Sequence, residues 1–285
     1  MSYLPDTFEQ AKVLITVKTY PLPSNKYEEL VCTAGILEDG KWIRIYPIPF
    51  RSLPRDKKFE KYEWILVDLV RNKDDFRQES YRPKTDASNI QILGKVGTDH
   101  EWAERKKCVL KEVFASFEEL IQQSKSESKK SLATFRPREI VDFIVEEDKR
   151  TWKEQWQANY DQYDLFEIDK RGKGLPKEII RKVPYKYSYR FLCEGELKPR
   201  TLMIEDWEIG ALYWNCLKQA EGDEEEANRL VRMKYFDDFL TKRDIHLFVG
   251  TTKKYHAMNA PNPFVIIGVF YPPTKKDFGQ GSLFH

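Results

Sequence analysis

The sequence predicts a mainly β protein with helical insertions, an α+β chain of two OB-like Greek-key barrels joined by a helical linker. Two observations carry this prediction. Short β-branched and aromatic runs, bounded by Gly, Pro and Asp, recur along both halves. Each half also gives the same order: three strands, a helical segment, then two strands. That is the order of a small Greek-key barrel. Only the element order repeats, with no sequence repeat beneath it, and a single larger α+β domain is the alternative architecture. The chain has 285 residues, 41% hydrophobic and 14% aromatic, enough to bury such cores. The expected divisions are a barrel over 1–99, a helical linker over 100–133, a barrel with helical insertions over 134–272, and a flexible tail over 273–285.

The elements follow in order. Residues 11–19 are β-branched and stop before Tyr20-Pro21. Residues 29–37 and 41–47 flank Asp39-Gly40, a hairpin signal. A polar stretch over 50–61 has room for one short helix. Residues 62–71 and 90–96 complete the first set of strands. Over 100–123, Val109, Val113, Phe117, Leu120 and Ile121 recur near helical spacing. A Lys/Ser/Glu-rich stretch over 124–131 is the best boundary.

The second half begins with a strand over 138–145. A polar, Trp-containing excursion follows over 146–175, helical near 152–160. Strands are expected over 185–193 and 200–204. A helix over 206–220 has Asp206 as its N-cap and Ile209, Leu212, Tyr213 and Leu217 on one stripe. A second helix spans 224–240, and strands over 245–250 and 264–270 close the set.

Charge and cysteine usage narrow the function classes. There are 48 basic and 46 acidic residues, a net +2, so any basic surface is local. Cys32, Cys108, Cys193 and Cys216 form no CxxC pair, and His100, His246, His256 and His285 show no metal spacing. These read as reduced thiols in a cytoplasmic protein without metal or cofactor. The first ten residues lack a signal-peptide pattern, and no apolar run is long enough to span a bilayer, so no membrane partner is expected.

Four segments carry a resemblance: Trp42-Ile43-Arg44-Ile45-Tyr46-Pro47, Arg77-Gln78-Glu79-Ser80-Tyr81-Arg82-Pro83, Ile204-Glu205-Asp206-Trp207-Glu208 and Phe248-Val249-Gly250-Thr251. They resemble motifs of a poorly characterised prokaryotic family described as dual OB-containing, over most of the chain. The resemblance implies a fold and brings no catalytic residue. Some members carry a Cys and a His before the Asp-Trp-Glu motif. Here Cys193 is present, but the later position reads Lys198-Pro199-Arg200, without a His. The tail, Gln280-Gly281-Ser282-Leu283-Phe284, resembles the peptide by which bacterial DNA polymerases and repair proteins dock on the replicative sliding clamp. Gln280 and Ser282 would give polar contacts, and Leu283 and Phe284 two apolar anchors. The alternative is that Leu283 and Phe284 fold back onto their own domain.

Basic–aromatic interleaving suggests a nucleic-acid surface. Arg44, Tyr46 and Arg51 end one strand; Lys186, Tyr187 and Arg190 lie on another. Alternation puts Tyr185, Tyr187, Tyr189 and Phe191 on one face and Lys186, Ser188 and Arg190 on the other. The aromatic face is either a stacking platform or core. Arg77, Tyr81 and Arg82 sit in what reads as a binding loop, with Asp74, Asp75 and Glu79 as competing partners for the arginines. Asp206-Trp207-Glu208 reads as a cap with an anchoring Trp, or as a metal or general-base site. Glu167-Ile168-Asp169-Lys170 lacks nuclease-motif spacing and precedes the basic Arg171-Gly172-Lys173-Gly174.

The first functional expectation is a non-catalytic module that binds single-stranded DNA or RNA and is recruited to DNA by the sliding clamp. The alternatives are a metal-dependent nuclease or nucleic-acid-modifying enzyme in phage defence, with Asp68, Asp142 and Asp169 around Mg²⁺, and a protein-binding adaptor.

Overall fold

The computed structural model describes residues 4–23, 29–50, 53–85, 89–153 and 180–274. The N-terminal sheet contains β1 (Thr7–Lys18), β2 (Leu22–Pro23), β3 (Glu29–Leu37), β4 (Trp42–Ile48), β5 (Glu63–Arg71), β6 (Ser80–Pro83) and β7 (Gln91–Lys95). Strands β1, β3, β4, β6 and β5 pair in that order, and β5 returns to β1, so the five close into a barrel. The β4–β6 pairing is parallel and the others are antiparallel. The closed barrel fits an OB-like fold. Val13, Ile15, Val31, Ile43, Ile45, Ile65, Val67 and Leu69 fill it, with Phe50, Leu53 and Phe59 from the β4–β5 connection. The helix expected in that connection is a single 3₁₀ turn, Arg55–Lys57.

One barrel strand departs from the sequence reading. Residues 77–83 read as a binding loop, yet β6 closes the barrel and β7 lies outside the closure as an added partner of β5. Tyr81 explains the difference. Its ring is fully buried inside the barrel, and its hydroxyl donates to the Pro5 carbonyl at 2.6 Å.

The chain continues through α1 (Asp99–Val109), β8 (Val113–Phe114), α2 (Phe117–Lys125), β9 (Leu132–Phe135), β10 (Glu139–Glu147), β11 (Tyr185–Leu192), β12 (Arg200–Met203), α3 (Trp207–Gln219) and α4 (Glu224–Arg232). A π-helical turn (Met233–Asp238), α5 (Phe239–Lys242), β13 (His246–Thr251), α6 (Lys253–Ala257) and β14 (Phe264–Phe270) complete it. The helix expected over 100–123 is two helices with β8 between them. Ser116 starts the second by accepting from the Glu119 amide. The expected linker is not a free connector, because Phe117, Leu120 and Ile121 join the C-terminal core.

The second barrel is not seen. The described C-terminal strands form two open sheets, β10-β11-β12 and β14-β13-β9-β8, touching through a parallel bridge between Ile204 and Ile266. Strand β9 makes the difference. It falls within and just beyond the stretch read as linker, but all four of its residues are buried, and it pairs with β13. That pairing commits β13 and β14 to their own sheet.

Residues 13–17 of β1 are buried without alternation. A strand covered on both faces has this near-continuous apolar character. Val13 and Ile15 face the barrel core, while Leu14 and Val17 face outward with Ala34 and Ile36 of β3 and Trp42 of β4. Against them pack Val109, Leu132, Phe248, Ile267 and Phe270. Trp42 meets Phe248 edge-on, ring centroids 5.2 Å apart. The second and third barrel strands form the ligand face of OB folds; here the C-terminal half covers that face. No helix among the described residues is long and apolar enough to cross a membrane.

Because one apolar seam joins the halves, the protein should unfold in urea as a single transition. Phe248→Ala should destabilise it by ~3–5 kcal/mol, as expected for emptying a packed aromatic site. Two separate transitions in the wild type would mean that the seam does not couple the halves.

Candidate functional site

The residues singled out from the sequence divide by burial. Arg44 points out of the barrel but is only 2% exposed, because β9 covers it; its guanidinium donates to the Ser131 hydroxyl at 2.7 Å and the Ser131 carbonyl at 3.3 Å. Arg77 is buried in the β5–β6 connection. It holds Asp75 in a bidentate pair and donates to the Thr251 carbonyl at 2.6 Å. Burial works against the Asp75 charge, but Arg77 and the Ser80 hydroxyl hold its carboxyl down at about 2. Tyr187, with Tyr189 and Phe191, belongs to the C-terminal core, and Tyr187 donates to Asn228 at 2.7 Å. Tyr46 is half-buried, and its carbonyl accepts from Asn72. Arg82, Lys186 and Arg190 remain exposed, with Lys186 3.3 Å from Asp148. Arg51, the segment 167–174 and the tail residues Gln280, Ser282, Leu283 and Phe284 lie outside the described residues.

The carboxylates considered for a metal do not converge. Asp68 accepts from the Gln10 amide, Asp142 pairs with Arg232 at 3.1 Å, and Asp169 lies outside the described residues. Among the described residues, no group of three or more His, Cys, Asp or Glu side chains is placed to hold a metal ion.

The chemistry gathers where the halves meet. Asp206 is fully buried and performs two tasks. It caps α3 by accepting from the Glu208 amide, and it takes both bonds of the Lys61 ammonium, at 2.8 and 3.0 Å. Glu208 stands 3.1 Å from the same ammonium. Burial alone would depress Lys61, but Asp206 and Glu208 override it and hold the ammonium charged above its ordinary value. Burial pushes the Asp206 carboxyl up, to about 6, against the pull of Lys61. The motif read as a cap with an anchoring Trp is therefore also a bridge between the halves.

Above this pair lies a cavity of about 310 Å³ lined from both halves. Lys18, Glu60, Lys61, Tyr62, Lys95, Trp102 and Arg105 come from the N-terminal side, and Trp207, Glu208 and Tyr271 from the other. Lys95 is bound by Glu60 and Lys61 by the two acids just described. Lys18 and Arg105 are different: among the described residues neither forms an ion pair. Lys18 donates to the Phe59 carbonyl and lies 4.4 Å from the Phe50 ring and 5.6 Å from that of Trp207. Arg105 donates to the Val96 carbonyl, with its guanidinium 4.0 Å from the Tyr62 ring and 4.8 Å from Trp102. Burial depresses both cations, most strongly among their influences, and the nearby Lys61 charge adds to this at Lys18, while Glu60, Glu208 and Asp206 at Lys18 and Glu208 at Arg105 pull the other way.

The backbone beside Trp102 is strained. His100, Glu101 and Trp102 have φ of 48°, 56° and 65°, three consecutive left-handed residues without a glycine. Each costs about 1–2 kcal/mol. The Trp102 ring offsets this by packing on Phe270 and Tyr271, at 5.6 and 5.2 Å. Strain of this kind concentrates at functional sites. None of the described residues proposed from sequence as nucleic-acid contacts lines this cavity. Its cations are scattered along the sequence, and only Asp206-Trp207-Glu208 signalled the place.

Two outcomes follow. Lys61→Met, which strands a buried carboxylate, should cost ~3–5 kcal/mol in urea unfolding, and adding Asp206→Asn, which keeps the cap, should recover much of it. His256 should give a pH signature. Its Nε2–H donates to the Ser124 carbonyl at 2.7 Å, its Nδ1 accepts from Thr251 at 2.9 Å, and burial lowers its pKa below 6.5, with Arg77 adding to the effect. A depressed folded value means that its stabilisation is present above pH 6.5 and lost as pH falls through that folded value. The stability gap between wild type and His256→Gln should therefore be larger at about pH 7.5 than at about pH 5. His246, also lowered, and Asp206, raised, titrate in both proteins and cancel in that difference.

Comparison with known families divides the chain between residues 111 and 113, at the start of β8. Residues 9–111 match a domain of unknown function (DUF8758), which covers the barrel, β7 and α1. No curated protein matches the chain. Residues 113–285, more than half of the sequence, match a second model, and the chain accordingly belongs to the family described as domain of unknown function (DUF8757).

Proposed function

We propose that this protein is a non-catalytic module that binds single-stranded nucleic acid in the cleft between its halves. The supporting observation is the pair of cations without carboxylate partners, Lys18 and Arg105, set among the rings of Trp102, Trp207 and Tyr62 in one cavity. Cations that desolvation penalises and that form no ion pair among the described residues favour an anion, and phosphate supplies one. Indole faces favour a flat ring, and stacking a base on one contributes about 1–3 kcal/mol. The site lies away from the usual face of an OB-like barrel, which is covered here by the C-terminal half. Arg82, Lys186 and Arg190 are exposed and can take phosphates further along a strand.

Recruitment by a bacterial sliding clamp belongs to the same proposal. It rests on the sequence Gln280-Gly281-Ser282-Leu283-Phe284. Removing Leu283 and Phe284 should abolish clamp binding without lowering the melting temperature. A drop of several degrees would assign the pair to the protein's own core.

Fluorescence anisotropy with single-stranded DNA and RNA at stepped salt tests the binding itself. Affinity should fall with salt, and Lys18→Gln or Arg105→Gln should each reduce the log–log slope by about 0.7. Trp207→Ala should weaken binding by about 1–3 kcal/mol. Absence of binding at low salt, or binding that does not respond to salt, would refute the proposal.

A further inference from the structure

We propose that the interdomain cavity takes a nucleoside monophosphate group, presented as the phosphorylated terminal nucleotide of a strand; this rests on the nucleic-acid reading above. Size is the first argument. A cavity of about 310 Å³ lies at the small end of ligand pockets, which run from about 300 to 1,000 Å³. That volume is on the scale of one nucleotide unit. The barrel face that would carry a run of bases is closed by Phe248, Ile267 and Leu132.

Charge is the second argument. Lys61 and Lys95 are held by Asp206, Glu208 and Glu60, leaving Lys18 and Arg105, each bonded to one backbone carbonyl, as the lining cations that form no ion pair among the described residues. A terminal phosphate monoester carries about −1.5 to −2 charge and three free oxygens. An internal diester has a single charge and two. Two cations without ion pairs among the described residues match the first better than the second. Glu60 and Glu208 line the same cavity and repel a further phosphate. The third argument is the strained turn at His100, Glu101 and Trp102, which sets one indole in the cavity wall opposite residues of the other half.

The test uses the full chain and short labelled oligonucleotides of one sequence in four forms: 5′-phosphate, 3′-phosphate, hydroxyl at both ends, and a covalently closed circle. AMP and UMP serve as competitors. One phosphorylated linear form should bind at least about ten-fold more tightly than the hydroxyl-ended strand and the circle. A mononucleotide should displace it. Arg105→Gln, checked for an unchanged melting temperature, should bring the four forms to near parity, whereas Lys84→Gln on the exposed barrel surface should not. If the circle binds as well as the phosphorylated strands, the terminus inference fails while nucleic-acid binding stands. If no form binds at low salt, the underlying reading fails as well. Binding of mononucleotide alone would overturn the strand terminus as the ligand. The wild-type series decides these outcomes even if the Arg105 variant proves unstable.

Discussion

An apolar barrel face cannot remain in water, and most of this structure follows from covering it. Leu14, Val17, Ala34, Ile36 and Trp42 point away from the barrel interior, yet all are buried. Each fully buried side chain of this kind contributes roughly 1.5–3 kcal/mol, so the seam is a large part of what holds the halves together. It fixes where β13 and β14 lie. It also turns the β5–β6 connection into a joint, with Arg77 reaching Thr251 and Gln78 reaching Glu127 across the boundary. The same covering removes the surface that an OB-like barrel would offer a ligand.

The polar contacts at the seam specify position more than they add stability. A buried ion pair such as Lys61–Asp206 loses hydration on both sides, and its attraction roughly recovers that loss. Its effect is geometric. Asp206 sits at the first turn of α3, so the pair sets the angle at which that helix meets the barrel. Trp207 then falls against Phe50 and the Lys18 ammonium, and the cavity forms beside it. The cavity thus forms where two curved surfaces dock, and both halves contribute its lining.

The longer strands were legible because they are long enough to show a pattern. Strands β3 and β14 begin and end where their apolar runs do, and the cap at Asp206 was readable from residue type and position. Strand β6 was not, because Ser-Tyr-Arg-Pro is too short to alternate and ends in proline. Strand β9 was hidden beside a polar stretch. Losing these two misplaced the barrel closure and suggested a second barrel that the described residues do not form. Arg44 shows why the candidate contacts were hard to place. It points out of the barrel, but outside there means beneath the C-terminal half, where it bonds Ser131. Lys18, Lys61, Lys95 and Arg105 share no spacing, since only the tertiary fold brings them to one rim.

Covering one half with the other also sets a timetable for synthesis. Barrel strands are complete once Lys95 has emerged from the ribosome, but Phe248, Ile267 and Phe270, which close their outer face, come much later. At about 5–20 residues per second, the roughly 175 residues between Lys95 and Phe270 take on the order of 10–35 s to make. Throughout that interval Trp42, Ile36 and Leu14 lack the side chains that bury them in the complete fold. A pause in translation between the halves therefore lengthens the time for which these apolar side chains are uncovered.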